Sequence, residues 1–469
     1  MACEPIRPKV GLLALTLDFY ETTAPTLRTE REDWVRRDVL PALEPLADVS
    51  FPGALFRRQD VDARVAEFEA EGVDALLVML LSYAPSQIAL PALKRTRLPI
   101  IVWNTQELWA VDETYDGPKL SANHGVHGTQ DLCNVLLRGG VPFHYVTSHV
   151  RDADATAGLA DFFVVAASVA RLRCARLGLL GYPFPGMGDF ALDTTNMAAT
   201  LGCEWIVLPI DDYIARAAAA DPADVAALVG EYQQSYAVAE DVTPADLEAT
   251  ARVELAVRGM VADHGLAAMT YQFLAFGDDE RTPTLPFVAA SRLLADGIGF
   301  GGEGDLIGAA GSTFLNWLCP PASFSEIFTT DFGGNSLLMS HMGEANVAMA
   351  RADRKVPLVA RPKPIVPTQE RQLALVSSFE PGPATLCALT LGPGGRWRFV
   401  ASAMTVADFG PLPSLSSPHF KLVPSGDVRD FLTAYATAGG PHHNAVCFGD
   451  ARARLQIAAR LLDADYCEV

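Results

Sequence analysis

The run Asp74-Ala-Leu-Leu-Val-Met-Leu-Leu81 carries no polar side chain after Asp74. A half-solvated strand alternates apolar with polar residues, so an unbroken apolar run reads as a strand covered on both faces. Val10-Gly-Leu-Leu-Ala-Leu-Thr-Leu17 and Pro99–Trp103 read the same way, with a short strand at Asp48–Phe51. Between them the spacing predicts helices at Ala24–Leu46, at Val61–Glu71 and at Pro85–Leu90, the last stopped by Pro91. Apolar strands separated by helices form a parallel sheet clothed on both faces. Ligands of such sheets gather at the carboxyl ends of the strands, here Asp18, Tyr20, Tyr83 and the Asn104–Gln106 turn, though each is equally an ordinary loop residue.

The alternation continues. A helix running to Leu137 opens in Ala122-Asn123-His124-Gly125-Val126-His127-Gly128, followed by a strand at Val141–Thr147 and a helix at Ala153–Arg171. Two histidines three apart make a weak metal site on their own, and a helix start favours anions or hydroxyl-rich ligands. A second α/β unit begins with the strand Ala175–Leu180. It continues through the turn Gly181–Asp189, a helix at Thr194–Leu201, a strand at Glu204–Leu208 and an alanine-rich helical region at 211–264. Thr243-Pro244 is the N-cap and first turn of a helix there. From about residue 356, short strands at Val356–Ala360, Gln372–Ser378, Thr385–Leu391, Trp397–Val406 and Phe420–Val423 alternate with Pro and Gly turns. That spacing predicts an all-β barrel or sandwich. A helix at Val428–Ala438, a strand at Asn444–Phe448 and a helix at Ala451–Leu462 complete the chain.

Length and composition narrow the function. At about 150 residues per domain, 469 residues make roughly three domains. A net charge of −20 and a pI of about 4.8 argue against nucleic acid and anionic membrane as partners and suit a cytoplasmic protein. The eight cysteines include no Cys-x-x-Cys pair and read as reduced, mostly buried thiols. Arg7 and Lys9 ahead of Val10–Leu17 mimic a secretion signal, but Asp18, Tyr20 and Glu21 follow where a cleavage site would stand. No apolar run reaches the ~20 residues of a membrane span.

Chemistry concentrates in the second half. Gly297-Ile298-Gly299-Phe300-Gly301-Gly302-Glu303-Gly304-Asp305 is a glycine-rich loop around one carboxylate. Its apolar Ile298 and Phe300 suit a packed loop, where Glu303 needs a cation, a metal or several donors; a solvated turn is the plain alternative. Ala322–Phe332 and Leu337–Glu344 look like two strands about the turn Gly333-Gly334-Asn335, a hairpin that brings Glu326 near His341. Gly439-Gly440-Pro441-His442-His443 precedes an apolar strand. Adjacent residues of an extended segment point to opposite sides, so one of this pair readily faces the other groups. Glu303, Glu326, His341 and that histidine form a mixed oxygen and nitrogen set. Without cysteine it suits Mn²⁺, Mg²⁺, Co²⁺ or Fe²⁺ with open positions.

The stretches Gly297–Asp305, Ser323-Phe324-x-Glu326, Ser340-His341-Met342-x-Glu344 and Gly439-Gly440-x-His442-His443 resemble those of L-arabinose isomerase, in the same order and at similar spacing. Val225–Tyr232, Ala249–Leu255 and Asn123-x-x-x-His127-Gly128 look similar too, and the wider group includes L-fucose isomerase-like proteins. The resemblance implies an α/β protein with two Rossmann-like (flavodoxin-type) domains, residues 1–172 and 173–320, and a C-terminal β-barrel-like domain, residues 321–469. It implies a Mn²⁺-dependent aldose–ketose isomerase acting through a cis-enediol on a small sugar. Carried over by motif, Glu303, Glu326, His341 and His443 are metal ligands and the two glutamates also move the proton. His124 and His127 match a stretch lent to a neighbour's site in a homo-oligomer, a trimer or hexamer, Phe273 matches a substrate wall, and His442 contacts the sugar. The chain departs from the family pattern after Glu326, around Thr16–Asp18, and at His124, which replaces a glutamine. A non-catalytic sugar-binding or regulatory protein of the same fold is the competing reading.

Overall fold

The computed structural model describes residues 6–276, 279, 281–282, 284–361 and 371–469, which divide into two compact units, residues 6–170 and 171–469. The first unit is built on five parallel strands: β1 Lys9–Leu15, β2 Asp48–Ser50, β3 Ala75–Leu80, β4 Ile100–Asn104 and β5 His144–Thr147. Their order is β2-β1-β3-β4-β5. Every side chain of β3 is buried, as its unbroken apolar run requires. The helix Gly125–Arg138 lies close on the end of β3: a Cβ on Gly125 would stand 2.3 Å from the Leu80 carbonyl oxygen.

Two helical expectations in this unit are corrected. Ala24–Leu46 is not one regular helix; it runs as Leu27–Trp34, a π-helical turn Val35–Val39, and Leu40–Leu43. Pro41 has no N–H to return to the preceding turn, so the regular ladder gives way there. Pro91 stops nothing. A 3-10 turn covers Ser86–Ile88, and Pro91 sits in the first turn of the helix Leu90–Arg95, where its missing N–H is harmless.

The second unit contains a parallel sheet, a closed barrel and a small sheet. Along the chain come β6 Arg176–Leu180, β7 Glu204–Leu208, β8 Ala237–Val238, β9 Ala268–Tyr271 and β10 Gly299–Gly301. The parallel sheet has the order β10-β9-β6-β7. Thr243 does cap the helix Pro244–His264, in a reciprocal capping box with Asp246. Then follow β11 Ala322–Asp331, β12 Ser336–Ser340, β13 Pro357–Ala360, β14 Leu373–Leu375, β15 Gly382–Leu391, β16 Trp397–Val406, β17 His419–Pro424, β18 His443–Phe448 and β19 Asp465–Glu468. Six of them close an antiparallel ring in the order β15-β18-β11-β12-β17-β16, with β16 returning to β15. β19, which the sequence reading missed, adds in parallel to β16.

The expected strands around Val356–Ala360 and Gln372–Ser378 do not join the barrel. As β13 and β14 they pair with each other, and β13 with β8, over an apolar cluster that includes Val225, Leu228, Tyr232 and Leu247. Short apolar strands say nothing of their partner, and here the helical segment supplies it. The buried helix Leu306–Leu318 packs on both the parallel sheet and the barrel. Among the described residues no helix is long and apolar enough to cross a membrane. The described cysteines form no disulfide, and burial pushes Cys203 and Cys387 up to about 12. Cys3 lies outside the described residues.

The helix Phe287–Ala295, which leads the chain toward Glu303, is held by a buried ionic node. Glu254, with no exposed surface, accepts hydrogen bonds from Tyr232 Oη (2.7 Å), Arg258 Nε (2.7 Å) and Arg292 Nε (2.8 Å). Glu254→Ala would remove the carboxylate shared by Arg258 and Arg292, which keep Asp296 and Glu231 as partners, so it should cost about 1–3 kcal/mol, read as a lower urea midpoint. A midpoint equal to wild type would show that the node does not hold this helix.

Candidate functional site

The site forms where the carboxyl end of β10 meets the barrel wall. β10 ends at Gly301, and the chain turns at Gly302-Glu303-Gly304 before Asp305 caps the helix Leu306–Leu318 through the Gly308 N–H (2.8 Å). Glu303 itself lies in the left-handed region at φ 59°. That conformation costs a non-glycine residue roughly 1–2 kcal/mol, so the turn is held against its local preference. Part of the hold comes from the turn after β6: the Phe184 N–H donates to the Glu303 carbonyl (2.9 Å), and Gly304 passes so close to Tyr182 that a Cβ would lie 2.5 Å from its carbonyl oxygen.

Barrel closure brings the remaining groups in. On β11, Glu326 stands opposite His443 of β18 and opposite Ser340 of β12, one residue before His341. Directly paired residues of neighbouring antiparallel strands share a face, so Glu326 and His443 project together although 117 residues separate them in Glu326–His443 numbering. His341 and His443 are buried, with ring centroids 5.8 Å apart, and Phe324 meets each edge-on at 4.8 and 4.9 Å.

Three imidazoles share one arrangement. His341 Nδ1–H donates to Glu344 Oε2 (2.6 Å), His443 Nδ1–H to Asp305 Oδ2 (2.9 Å) and His442 Nδ1–H to Asp189 Oδ2 (2.5 Å). An ionised carboxylate only accepts, so Nδ1 carries the proton in each pair. Each Nε2 is buried without a hydrogen-bond partner. His442 Nε2 lies 4.0 Å from Glu303 and 3.9 Å from Glu326, and His443 Nε2 lies 3.9 Å from Glu303. The ligand atoms of Glu303, His442 and His443 fall within 4.8 Å of one another, as do those of Glu326, His341 and His443. Gly302 leaves the space open, since a Cβ there would stand 2.8 Å from His341 Nε2.

The electrostatics agree. Burial alone would lower His341, but Glu344, with Glu326 and Glu303, carries it above the ordinary histidine value. Burial raises Glu344, yet His341, Tyr271 and the Gly343 N–H outweigh it and hold its pKa down. Burial also pulls His442 down, against Glu303, Asp189 and Glu326, which bring it up to about 9. This is a negative pocket that attracts a cation. Two hard carboxylates with two or three imidazole nitrogens, which give up their protons on binding, fit a divalent ion such as Mn²⁺, and the orphaned nitrogens and the space over Gly302 match such a group.

The sequence-predicted residues sort clearly. Glu303, Glu326, His341, His442 and His443 come together. The expectation that one of the two adjacent histidines faces the site is corrected: both present Nε2, because β18 begins only at His443 and His442 precedes the alternating segment. Phe273 starts a 3-10 turn after β9, its ring 5.9 Å from Phe184. His124 and His127 lie in the first unit, at the carboxyl ends of β1 and β3. There His124 Nε2 is 2.8 Å from Tyr20 Oη, and Tyr83 stacks on His127 at 4.7 Å. Burial and the neighbouring His127 hold His124 below the ordinary value. Asp18 instead faces Arg57 (3.5 Å) and Asn104 donates to Thr147 (3.3 Å). Sequence reasoning missed Asp189, Glu344 and Tyr271, whose hydroxyl donates to Glu344, as partners of the site. Only Glu344 had a signal, three residues after His341.

Comparison with known proteins agrees with this geometry. Residues 191–318 match the L-arabinose isomerase central domain, 321–465 the L-arabinose isomerase C-terminal domain, and 42–173 the N-terminal domain of fucose/sulfoquinovose isomerase. The L-arabinose isomerase of Mycolicibacterium smegmatis is 30% identical over 382 residues, 77% of this chain and 73% of that protein. That of Acidothermus cellulolyticus is 29% identical over 394 residues, 81% of this chain and 77% of its own length. Both the site's glycine-rich turn and its barrel wall fall inside the matched regions, and the chain belongs to the L-arabinose isomerase family of aldose–ketose isomerases.

Proposed function

We propose that this isomerase interconverts a small aldose, a pentose, deoxyhexose or related sugar, with its ketose, using a divalent metal ion held by Glu303, Glu326, His341 and His443. The observation that carries the reading is the convergence of unpartnered imidazole nitrogens on two carboxylates. A bound Mn²⁺, or Co²⁺, Mg²⁺ or Fe²⁺, would supply Lewis acidity toward two vicinal sugar oxygens. Glu303 and Glu326 are each within 4.0 Å of one imidazole nitrogen, so both can approach the same pair of carbons. One carboxylate takes the proton from C2 of the aldose; the electron pair left behind forms the C1–C2 double bond while the C1 carbonyl pair moves onto O1, which takes a proton, giving a cis-enediol. The O2 hydroxyl then gives up its proton as the C2 carbonyl forms, and the carboxylate returns its proton to C1, completing the ketose. The buried Phe324 and Phe190 and the half-buried Phe273 shield the site from water.

The departures after Glu326 and near Thr16, with an N-terminal match to fucose/sulfoquinovose isomerase, favour a substrate other than L-arabinose. The strand order β2-β1-β3-β4-β5 supports reading the first sheet as flavodoxin-type, and we read the second as Rossmann-like also. The charge and the reduced thiols support a cytoplasmic protein with no nucleic-acid or membrane partner. A homo-oligomer, trimer or hexamer, in which His124 and His127 serve a neighbour's site rests on the family resemblance. The alternative, a sugar-binding protein without catalysis, has no need of two carboxylates among the imidazoles.

A panel of aldoses and ketoses run with added Mn²⁺ tests the reading. Activity should vanish with chelator and return with Mn²⁺ or Co²⁺; full turnover after verified metal removal would sink it. Gly302→Ala should lower metal content by elemental analysis while the melting temperature holds; unchanged content would place the ion elsewhere. Glu303→Gln and Glu326→Gln should each lose ~10²–10⁴-fold in turnover, with matching loss of hydrogen exchange at C2 in heavy water. A variant exchanging at the wild-type rate has not lost its base. Mixing His127→Ala with Glu303→Gln subunits should restore part of the activity, and a fully active monomer by sedimentation would rule out shared sites.

A further inference from the structure

Of the three histidines, His442 is held least by packing. His443 is buried between Phe190, stacked at 5.4 Å and 2°, and the edge of Phe324, whereas the His442 side chain keeps 32% of its exposure. It also lies just outside the β18 ladder. Its fixed contact is Asp189, which ends the glycine- and proline-rich turn after β6. One carboxylate oxygen, Asp189 Oδ2, accepts both the His442 backbone N–H (3.0 Å) and its Nδ1–H (2.5 Å). These two bonds set the backbone and the ring at once. They commit Nδ1 as the donor and leave Nε2 turned toward Glu303 and Glu326. Separations of 3.9–4.0 Å are too long for direct hydrogen bonds. A hydroxyl oxygen lying beside those lines can reach the imidazole and both carboxylates.

We infer that Asp189 is a positioning residue: it fixes the ring orientation of His442 so that Nε2 meets a sugar hydroxyl, and so sets substrate affinity. The inference rests on the sugar-isomerase reading of the same site. Asp189 acts only through His442, without touching the metal ligands' own carboxylate partners, Glu344 and Asp305.

Steady-state kinetics on the Mn²⁺-loaded enzyme test it. Asp189→Ala and His442→Ala should each raise KM about tenfold, with kcat within a few fold and metal content unchanged. The double variant should be no worse than His442→Ala alone, because the two residues act as one unit. Asp189→Asn keeps an acceptor oxygen and should recover most of the affinity. Additive losses in the double variant, a fall in kcat at constant KM, or loss of metal from either single variant would overturn the inference. A readout independent of any sugar separates its failure from failure of the function. In ¹⁵N-histidine spectra of the Mg²⁺-loaded protein, the His442 signals, identified by their loss in His442→Ala, should show Nδ1 protonated and hydrogen-bonded in the wild type and shifted in Asp189→Ala as that bond is lost. An unchanged spectrum refutes the positioning role, whatever the sugar panel shows. The expected spectral change with no sugar turned over upholds the positioning of His442 by Asp189 and overturns both the isomerase reading and the part of the inference that concerns sugar affinity.

Discussion

A buried imidazole has two nitrogens, and this protein gives one of them, Nδ1, to a carboxylate in His341, His442 and His443. The pairing fixes ring orientation and tautomer together, and it turns three basic lone pairs toward one place. The three carboxylates come from unlike elements. Asp305 is the N-cap of a helix, Glu344 lies in the segment after β12, and Asp189 ends a turn after β6. Asp305 satisfies two demands with one side chain, capping the helix through Oδ1 and orienting His443 through Oδ2. The polar groups of the site are thereby fixed before any ligand enters, which is what a site needs in order to stabilise developing charge without reorganising.

That arrangement depends on the closed barrel. β11 sits between β12 and β18, so Glu326 acquires His443 as its direct partner on one side and, on the other, His341 from just past the end of β12. An open sheet would leave strand edges, whereas closure fixes register all round and with it the shared face of these side chains. The parallel sheet contributes Glu303 from the end of β10, held in a left-handed turn that glycine neighbours and the Tyr182–Phe184 backbone make tolerable. The helix Leu306–Leu318, buried along most of its length, packs against both layers and keeps the turn and the barrel wall in one body.

The sequence by itself determined which segments are covered strands, because an unbroken apolar run such as Ala75–Leu80 is stable only with both faces buried. It also determined the residue types of the site, since Glu303 among glycines and Glu326 and His341 on a hairpin are local patterns. Local rules then reached their limit. Pro41 broke a helix that periodicity drew as continuous, and β13 and β14 left the barrel for β8, because strand pattern carries no information about the partner. Tertiary structure alone decided that both His442 and His443 face the site and that Asp189, 253 residues before His442, orients it. Alternation along a strand is a local consequence of the pleat. A carboxylate arriving from another layer is set by chain crossing, and no spacing in the sequence records it.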